Sequence, residues 1–241
     1  MRKKEIHMRR TLVISDIHGE LERFEKLLEK VEYNPQEDQL ILLGDYVDRG
    51  PNAKEVIEKV MHLKDAGVLV LKGNHEDMML KALTTEEEKF WNHWVKRNGG
   101  DQTLHSYGFS ESDIAVSEEE FIKPLLHSEV LEQHIEFIKG LDHYIETDNY
   151  IFVHAGVEPM TPVSETDAHT LMWIRNEFHN GYNGEKTVVF GHTETKLLHG
   201  DNENSGVYFG GNRIIGIDGG AVYGGQLNCL ELPSQKVYAV K

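Results

Sequence analysis

Residues 11–15 form a short apolar run of the kind that makes a buried strand. From 20 to 31 the apolar residues Leu21, Phe24, Leu27, Leu28 and Val31 fall at helical spacing, and 40–43 turns apolar again, which completes a β-α-β unit. The rhythm repeats with 53–64 as helix, 68–71 as strand and 76–83 as helix, predicting parallel strands joined by right-handed crossovers. Residues 86–139 are mostly helical in pattern and carry Trp91, Trp94, Phe121 and Phe137, as an inserted helical cap packed on the sheet would. Beyond them the chain becomes strand-rich, with runs at 150–153, 187–190, 207–209, 213–217, 226–232 and 236–240 separated by Gly, Asn and Pro turn signals. A second sheet follows from that pattern. With no internal repeat, low-complexity segment or linker, residues 11–241 read as one α/β domain and 1–10 as an N-terminal extension.

Composition narrows what such a domain does. No apolar run approaches the roughly 20 residues that span a bilayer. The basic start leads into a strand-like run and charged residues instead of a signal peptide's apolar core. A cytoplasmic protein without a membrane anchor is therefore expected. The single cysteine, Cys229, excludes an internal disulfide framework or a multi-cysteine zinc site, and its apolar surroundings predict a buried, inert thiol. With 41 acidic and 25 basic side chains the net charge is -16, a field that repels nucleic acid and attracts cations. Most of the excess, as at 86–88 and 118–120, reads as solvated surface. Only carboxylates at special loop positions call for chemistry.

Three loops share one placement. Asp16-Ile17-His18-Gly19 follows the first strand, Gly44-Asp45-Tyr46-Val47-Asp48-Arg49-Gly50 the second and Gly73-Asn74-His75-Glu76 the third. The carboxyl edge of an open α/β sheet is where ligands bind, so Asp16, His18, Asp45, Asn74 and His75 should converge despite their separation. His154 and His192 end later strands in the same way, in Val153-His154-Ala155-Gly156 and Phe190-Gly191-His192-Thr193. Carboxylate, amide oxygen and imidazole without thiolate suit manganese, iron or zinc. The remaining histidines, among them His7, His62, His93, His105, His127 and His199, read as structural or surface residues.

The motifs Asp16-x-His18-Gly19, Gly44-Asp45-x-x-Asp48-Arg49-Gly50, Gly73-Asn74-His75-Glu76, His154-Ala155-Gly156 and Gly191-His192-Thr193 resemble the phosphoprotein phosphatase branch of the calcineurin-like metallophosphoesterases. The likeness spans about 11 to 232. It is greatest to small bacterial and lambda-phage type serine/threonine protein phosphatases, through Asn74-His75-Glu76-Asp77-Met78-Met79, Asn92-His93-Trp94, Met172-Trp173-Ile174-Arg175 and Ile217-Asp218-Gly219-Gly220-Ala221-Val222. The resemblance implies a β-sandwich of two mixed sheets flanked by helices, and two divalent metal ions, manganese first and iron or zinc as alternatives. By the same resemblance Asp16, His18 and Asp45 hold one metal, and Asp45, Asn74, His154 and His192 the other. It implies a metal-bridging hydroxide that attacks phosphorus directly, His75 as proton donor oriented by Asp48, and Arg49 and Arg175 as phosphate clamps. Asn98, Tyr223 and Asp218 are weaker candidates for the pocket wall.

The implied substrate is a phosphomonoester, phosphoserine or phosphothreonine in proteins before small phosphoesters. The alternative is symmetrical hydrolysis of diadenosine tetraphosphate, for which Tyr107, Phe109, Tyr182 or Tyr223 would supply a base-stacking rim. The cap and the loop 197–206 are where substrate choice should be set.

Overall fold

The computed structural model describes residues 10–117 and 119–241, so His7 lies outside the described residues. The first sheet is built from β1 (Arg10–Ile14), β2 (Asp38–Leu42) and β3 (Leu69–Val70), alternating with α1 (Leu21–Lys30), α2 (Ala53–Asp65) and α3 (Asn74–Thr84). As the pattern predicts, β1 pairs β2 and β2 pairs β3 in parallel. Strand β1 begins at Arg10, one residue inside the expected extension, where the guanidinium donates to Asp38 Oδ1 at 2.6 Å.

The inserted segment carries α4 (Glu88–Trp94), α5 (Gly100–Ser106), α6 (Glu111–Ile114) and α7 (Glu129–Lys139). It meets the first sheet largely through the helices that cover it. Helices α4 and α7 pack on α3, and α5 and α7 on α2. Trp91, Trp94, Leu104, Leu131 and Ile138 thereby join the core that α1, α2 and α3 already form with one face of the first sheet.

The second sheet contains β4 (Tyr144–Glu146), β5 (Tyr150–Val153), β6 (Thr187–Phe190), β7 (Tyr208–Phe209) and β8 (Ile214–Gly216), with α8 (Ala168–Trp173), α9 (Asn176–Gly181) and α10 (Thr195–His199) between its strands. The expectation that every later strand belongs here is corrected at the end of the chain. There β9 (Leu227–Leu232) pairs antiparallel with β1, and β10 (Lys236–Val240) with β9. The orders are β10-β9-β1-β2-β3 and β4-β5-β6-β8-β7. All crossovers leave β1 toward β3, so the other edge of β1 is open until β9 fills it.

Alternation along the strands divides the interior. Leu12, Ile14, Leu40 and Leu42 face the helices of the first layer, while Val13, Ile41, Leu230 and Leu232 meet Phe152, Val189 and Ile215 of the second sheet. The outer face of that sheet, Val153, Val188 and Phe190, is covered by Leu171 and Phe178. The result is the expected sandwich of two mixed sheets between helical layers, with Cys229 buried in β9 and its thiol pushed up to about 12 by burial.

Candidate metal centre

The loops leaving β1 and β2 are fastened together beyond the strands: Asp16 N–H donates to Gly44 O at 3.1 Å, and His18 N–H to Asp45 O at 2.9 Å. This pairing needs unusual backbone. Of ten non-glycine residues with positive φ among the described residues, six are Asp16, His18, Asp45, Asp48, Arg49 and His192. Such conformations are sparsely populated and persist where surrounding contacts over-determine them, so strain is concentrated at this edge of the sheets.

Two groups of side chains sit there. Ligand atoms of His18, Asp45 and His75 lie within 4.8 Å of one another, as do those of Asp45, His154 and His192. Asp45 is common to both. Asn74 Oδ1 stands 2.8 Å from both His154 Nε2 and His192 Nδ1. Asp16 falls outside the two tight groups, at their edge, where it accepts His192 N–H at 3.0 Å and the Ser15 hydroxyl at 2.5 Å.

The donor set fits cations. His154 Nδ1 donates to Leu43 O at 3.0 Å and His18 Nδ1 to Val47 O at 2.8 Å, which fixes both tautomers and turns each Nε2 lone pair inward. His154 Nε2 therefore faces oxygen lone pairs of Asn74 and Asp45, an arrangement that repels unless a positive charge lies between them. That of His18 is taken by the Arg49 guanidinium at 2.6 Å.

Electrostatics point the same way. Burial holds the imidazolium forms of His18 and His192 well below the usual range, which leaves neutral rings able to bind a metal. Burial also disfavours charge on His154, but Asp45 and Asp16 outweigh it and raise that ring to about 9, which marks the spot as one that favours positive charge. Asp45 is buried yet kept well below the carboxylate range by His154, His75 and His18. Burial and Asp45 push Asp16 up.

His75 packs edge-on to His18, ring centroids 4.6 Å apart, and its Nδ1 lies 2.6 Å from Asp48 Oδ2. Asp48 is pushed up by burial and pulled down by its donors. Arg175 lines the cavity over this centre. It stands at the turn between α8 and α9 and donates to Thr193 Oγ1 at 2.8 Å and His192 O at 3.1 Å.

A cavity of about 350 Å³ opens over this centre. Eight of the ten residues expected from the sequence line it: Asp16, His18, Asp45, Arg49, Asn74, His75, Arg175 and His192. Asp48 and His154 lie behind it, fully buried. Asn98, Asp218 and Tyr223 complete the wall with Trp173, Glu194 and Leu197. Among the described residues of the inserted segment only Asn98 reaches the cavity, and of 197–206 only Leu197.

The aromatic rim on which a dinucleotide substrate would depend is mostly absent. Tyr223 is there, 56% exposed and 5.2 Å from the Arg49 guanidinium carbon. Tyr107 instead pairs with His134, Phe109 packs on the first core and Tyr182 is buried beneath the second sheet.

Glu76 has no assigned role in the motif that contains it. Its carboxylate accepts the N–H groups of Asp45 at 2.8 Å, Tyr46 at 2.7 Å and Gly73 at 2.9 Å, pinning the second loop to the third. Its place at the third position of α3 was the available signal, since acidic residues there turn back on the helix start.

Comparison with known proteins identifies the family of the chain. Residues 9–225 match the family model described as calcineurin-like phosphoesterase. The serine/threonine-protein phosphatase 1 of Salmonella typhimurium is 28% identical over 239 residues, covering 94% of this chain and 97% of its own. A bis(5'-nucleosyl)-tetraphosphatase (asymmetrical) of Bacillus thuringiensis is 26% identical, covering 95% and 92%. In fold, a protein serine/threonine phosphatase from Saccharomyces cerevisiae superposes with a TM-score of 0.60 at 12% identity, covering 96% of this chain and 79% of that one. With its sandwich, its histidine and aspartate clusters at the strand ends and a family match over most of its length, the chain belongs to the calcineurin-like phosphoesterases, hydrolases of phosphate esters.

Proposed function

We propose that this chain is a cytoplasmic, metal-dependent phosphomonoesterase acting on phosphoserine and phosphothreonine in proteins. The observation that carries the reading is the charge of the cavity wall. Two guanidinium groups, Arg49 and Arg175, face the His/Asp/Asn centre, and Glu194 and Asp218 complete the wall. That suits the roughly two negative charges of one phosphoryl group better than the chain of charges on a polyphosphate.

In this reading Asp16, His18 and Asp45 hold one divalent cation and Asp45, Asn74, His154 and His192 a second, manganese before iron or zinc. Bound there, such cations acidify water and polarise phosphoryl oxygens. The residues do the rest. Arg49 and Arg175 present guanidinium forks to the equatorial oxygens, where charge gathers in the transition state. His75 delivers a proton from Nε2 to the leaving oxygen while Asp48 keeps the Nδ1 proton and the orientation of the ring.

A second reading, hydrolysis of a dinucleoside tetraphosphate, is favoured by Tyr223, whose exposed ring beside Arg49 offers a face for a nucleobase. The Bacillus relative named for that activity adds weight to it. The test is a side-by-side measurement of kcat/KM with manganese on a phosphothreonine peptide and on diadenosine tetraphosphate. A higher value for the peptide is expected. A clear preference for the dinucleotide would overturn the protein-phosphatase reading, and its products, two nucleoside diphosphates or a mono- and a triphosphate, would identify the cut.

A further inference from the structure

The inserted segment touches the cavity through little more than Asn98, yet its deepest polar side chains reach the residue behind His75. Trp94 Nε1–H is shared between Asp48 Oδ1 at 2.8 Å and Oδ2 at 3.0 Å. The Thr103 hydroxyl donates to Asp48 Oδ1 at 2.7 Å. Because Thr103 Oγ1 also accepts the Asp48 backbone N–H at 2.8 Å, its own proton is committed to the carboxylate. All three residues are fully buried. One turn further along, the Gly99 carbonyl accepts Arg49 N–H at 3.1 Å. Gly99 has φ +82, and a Cβ there would stand 2.8 Å from Arg49 N, so only glycine allows this approach. Asp48 and Arg49, consecutive residues at φ 74 and 72, are thus gripped from one side by 94–103.

We propose that Trp94 and Thr103 are positioning residues for the reaction, and that the inserted segment is retained as a brace for the Asp48–His75 pair. The inference rests on His75 being the proton donor. Asp48 has two oxygens to share among three donors. Thr103 on Oδ1 and Trp94 across both oxygens fix the carboxylate plane, which directs Oδ2 at His75 Nδ1 at 2.6 Å. With Nδ1–H so held, the proton on Nε2 is the one given to the leaving oxygen as the P–O bond breaks, and a neutral imidazole remains on Asp48. A carboxylate free to rotate would misdirect the ring, and the harm would scale with how badly the leaving oxygen needs that proton.

The experiment compares kcat for a phosphoserine peptide, a poor alkoxide leaving group, with kcat for p-nitrophenyl phosphate, whose leaving group departs readily without a proton. The variants are Thr103→Val, Trp94→Phe and Thr103→Ser, with His75→Asn as reference; thermal melts and manganese binding are recorded for each. Thr103→Val and Trp94→Phe should lower turnover of the peptide by about 10- to 100-fold, the usual cost of losing an orienting outer partner. On the aryl ester the loss should be several-fold smaller, and Thr103→Ser, which keeps the hydroxyl, should restore the wild-type ratio. Manganese affinity and KM should hold. If His75→Asn discriminates between the esters while Thr103→Val and Trp94→Phe depress both alike, or neither, the brace is merely structural and the proposal is wrong. If His75→Asn itself shows no discrimination, the proton-donor role of His75 fails and the proposal falls with it.

Discussion

Replacing Gly73 by alanine tests how tightly the shared carboxylate is held. Gly73 has φ -98, a conformation that any residue adopts, so the substitution adds no backbone strain. Space is the obstacle. A Cβ at this position would stand 2.5 Å from Asp45 N and overlap Asp45 Oδ1. Non-bonded atoms settle at about 3.5 to 4.0 Å, so one side must withdraw by roughly 1 Å. The Asp45 backbone cannot yield freely, since its N–H is held by Glu76 at 2.8 Å and its carbonyl by His18 at 2.9 Å. The carboxylate common to both clusters must move. Overpacking of this kind costs about 1 to 3 kcal/mol, which in a chain of this length lowers Tm by about 2 to 12 °C. A displacement of about 1 Å at reacting geometry costs on the order of 100-fold in rate. Gly73→Ala should therefore remain folded by circular dichroism, bind manganese at least about 10-fold more weakly in calorimetry, and lose about 100-fold in kcat. Gly211→Ala, where an added Cβ meets nothing within 4 Å, is the control and should behave as wild type. A Gly73→Ala protein with wild-type manganese affinity and turnover would refute the placement of Asp45 at the heart of the site.

Other outcomes follow from single groups. Burial, aided by Lys54 and Arg175 respectively, lowers His134 and His179 from 6.5 to about 4. The unfolded chain then binds more protons between those values, so their contribution is complete above about pH 6.5 and is lost as pH falls toward 4. Thermal melts should show Tm declining across that window and a shallower decline in His134→Phe; a flat wild-type profile would contradict this. Arg175→Ala should reduce kcat/KM by about 100-fold on monoester and dinucleotide alike, and Arg175→Lys should recover part of it in steady-state assays. Asp45→Asn should weaken both metal sites together, so metal analysis after dialysis should find little of either ion, and retention of one full equivalent would show that the carboxylate is not shared.

The cluster at the strand ends was legible because Asp16, Asp45, His154 and His192 interrupt strong apolar patterns. Strands β1 and β2 are buried on both faces and read as continuous apolar runs, so the polar Asp16 and Asp45 just beyond them stand out. What the sequence does not display depends on distance along the chain. Trp94 looks like any apolar residue of an amphipathic helix, and nothing near it announces a hydrogen bond to Asp48, 46 residues away. Glu76 reaches Asp45 across 31 residues. Strands β9 and β10 alternate as strands of either sheet would, and their return to β1 is decided by which sheet edge lies open, a property of the assembled fold. Tyr107 and Tyr182 failed as rim residues for a related reason: an aromatic side chain in sequence does not reveal whether it faces a cavity or a core.

The most direct test of the account is turnover of p-nitrophenyl phosphate by protein stripped with a chelator and then titrated with manganese. Activity should fall to background on stripping and return with added manganese, levelling off at two ions per chain if Asp45, Asn74, His154 and His192 with Asp16 and His18 form the two adjoining sites proposed for them. Undiminished turnover by the stripped protein, with bound metal verified absent, would contradict the claim that this centre works through metal ions.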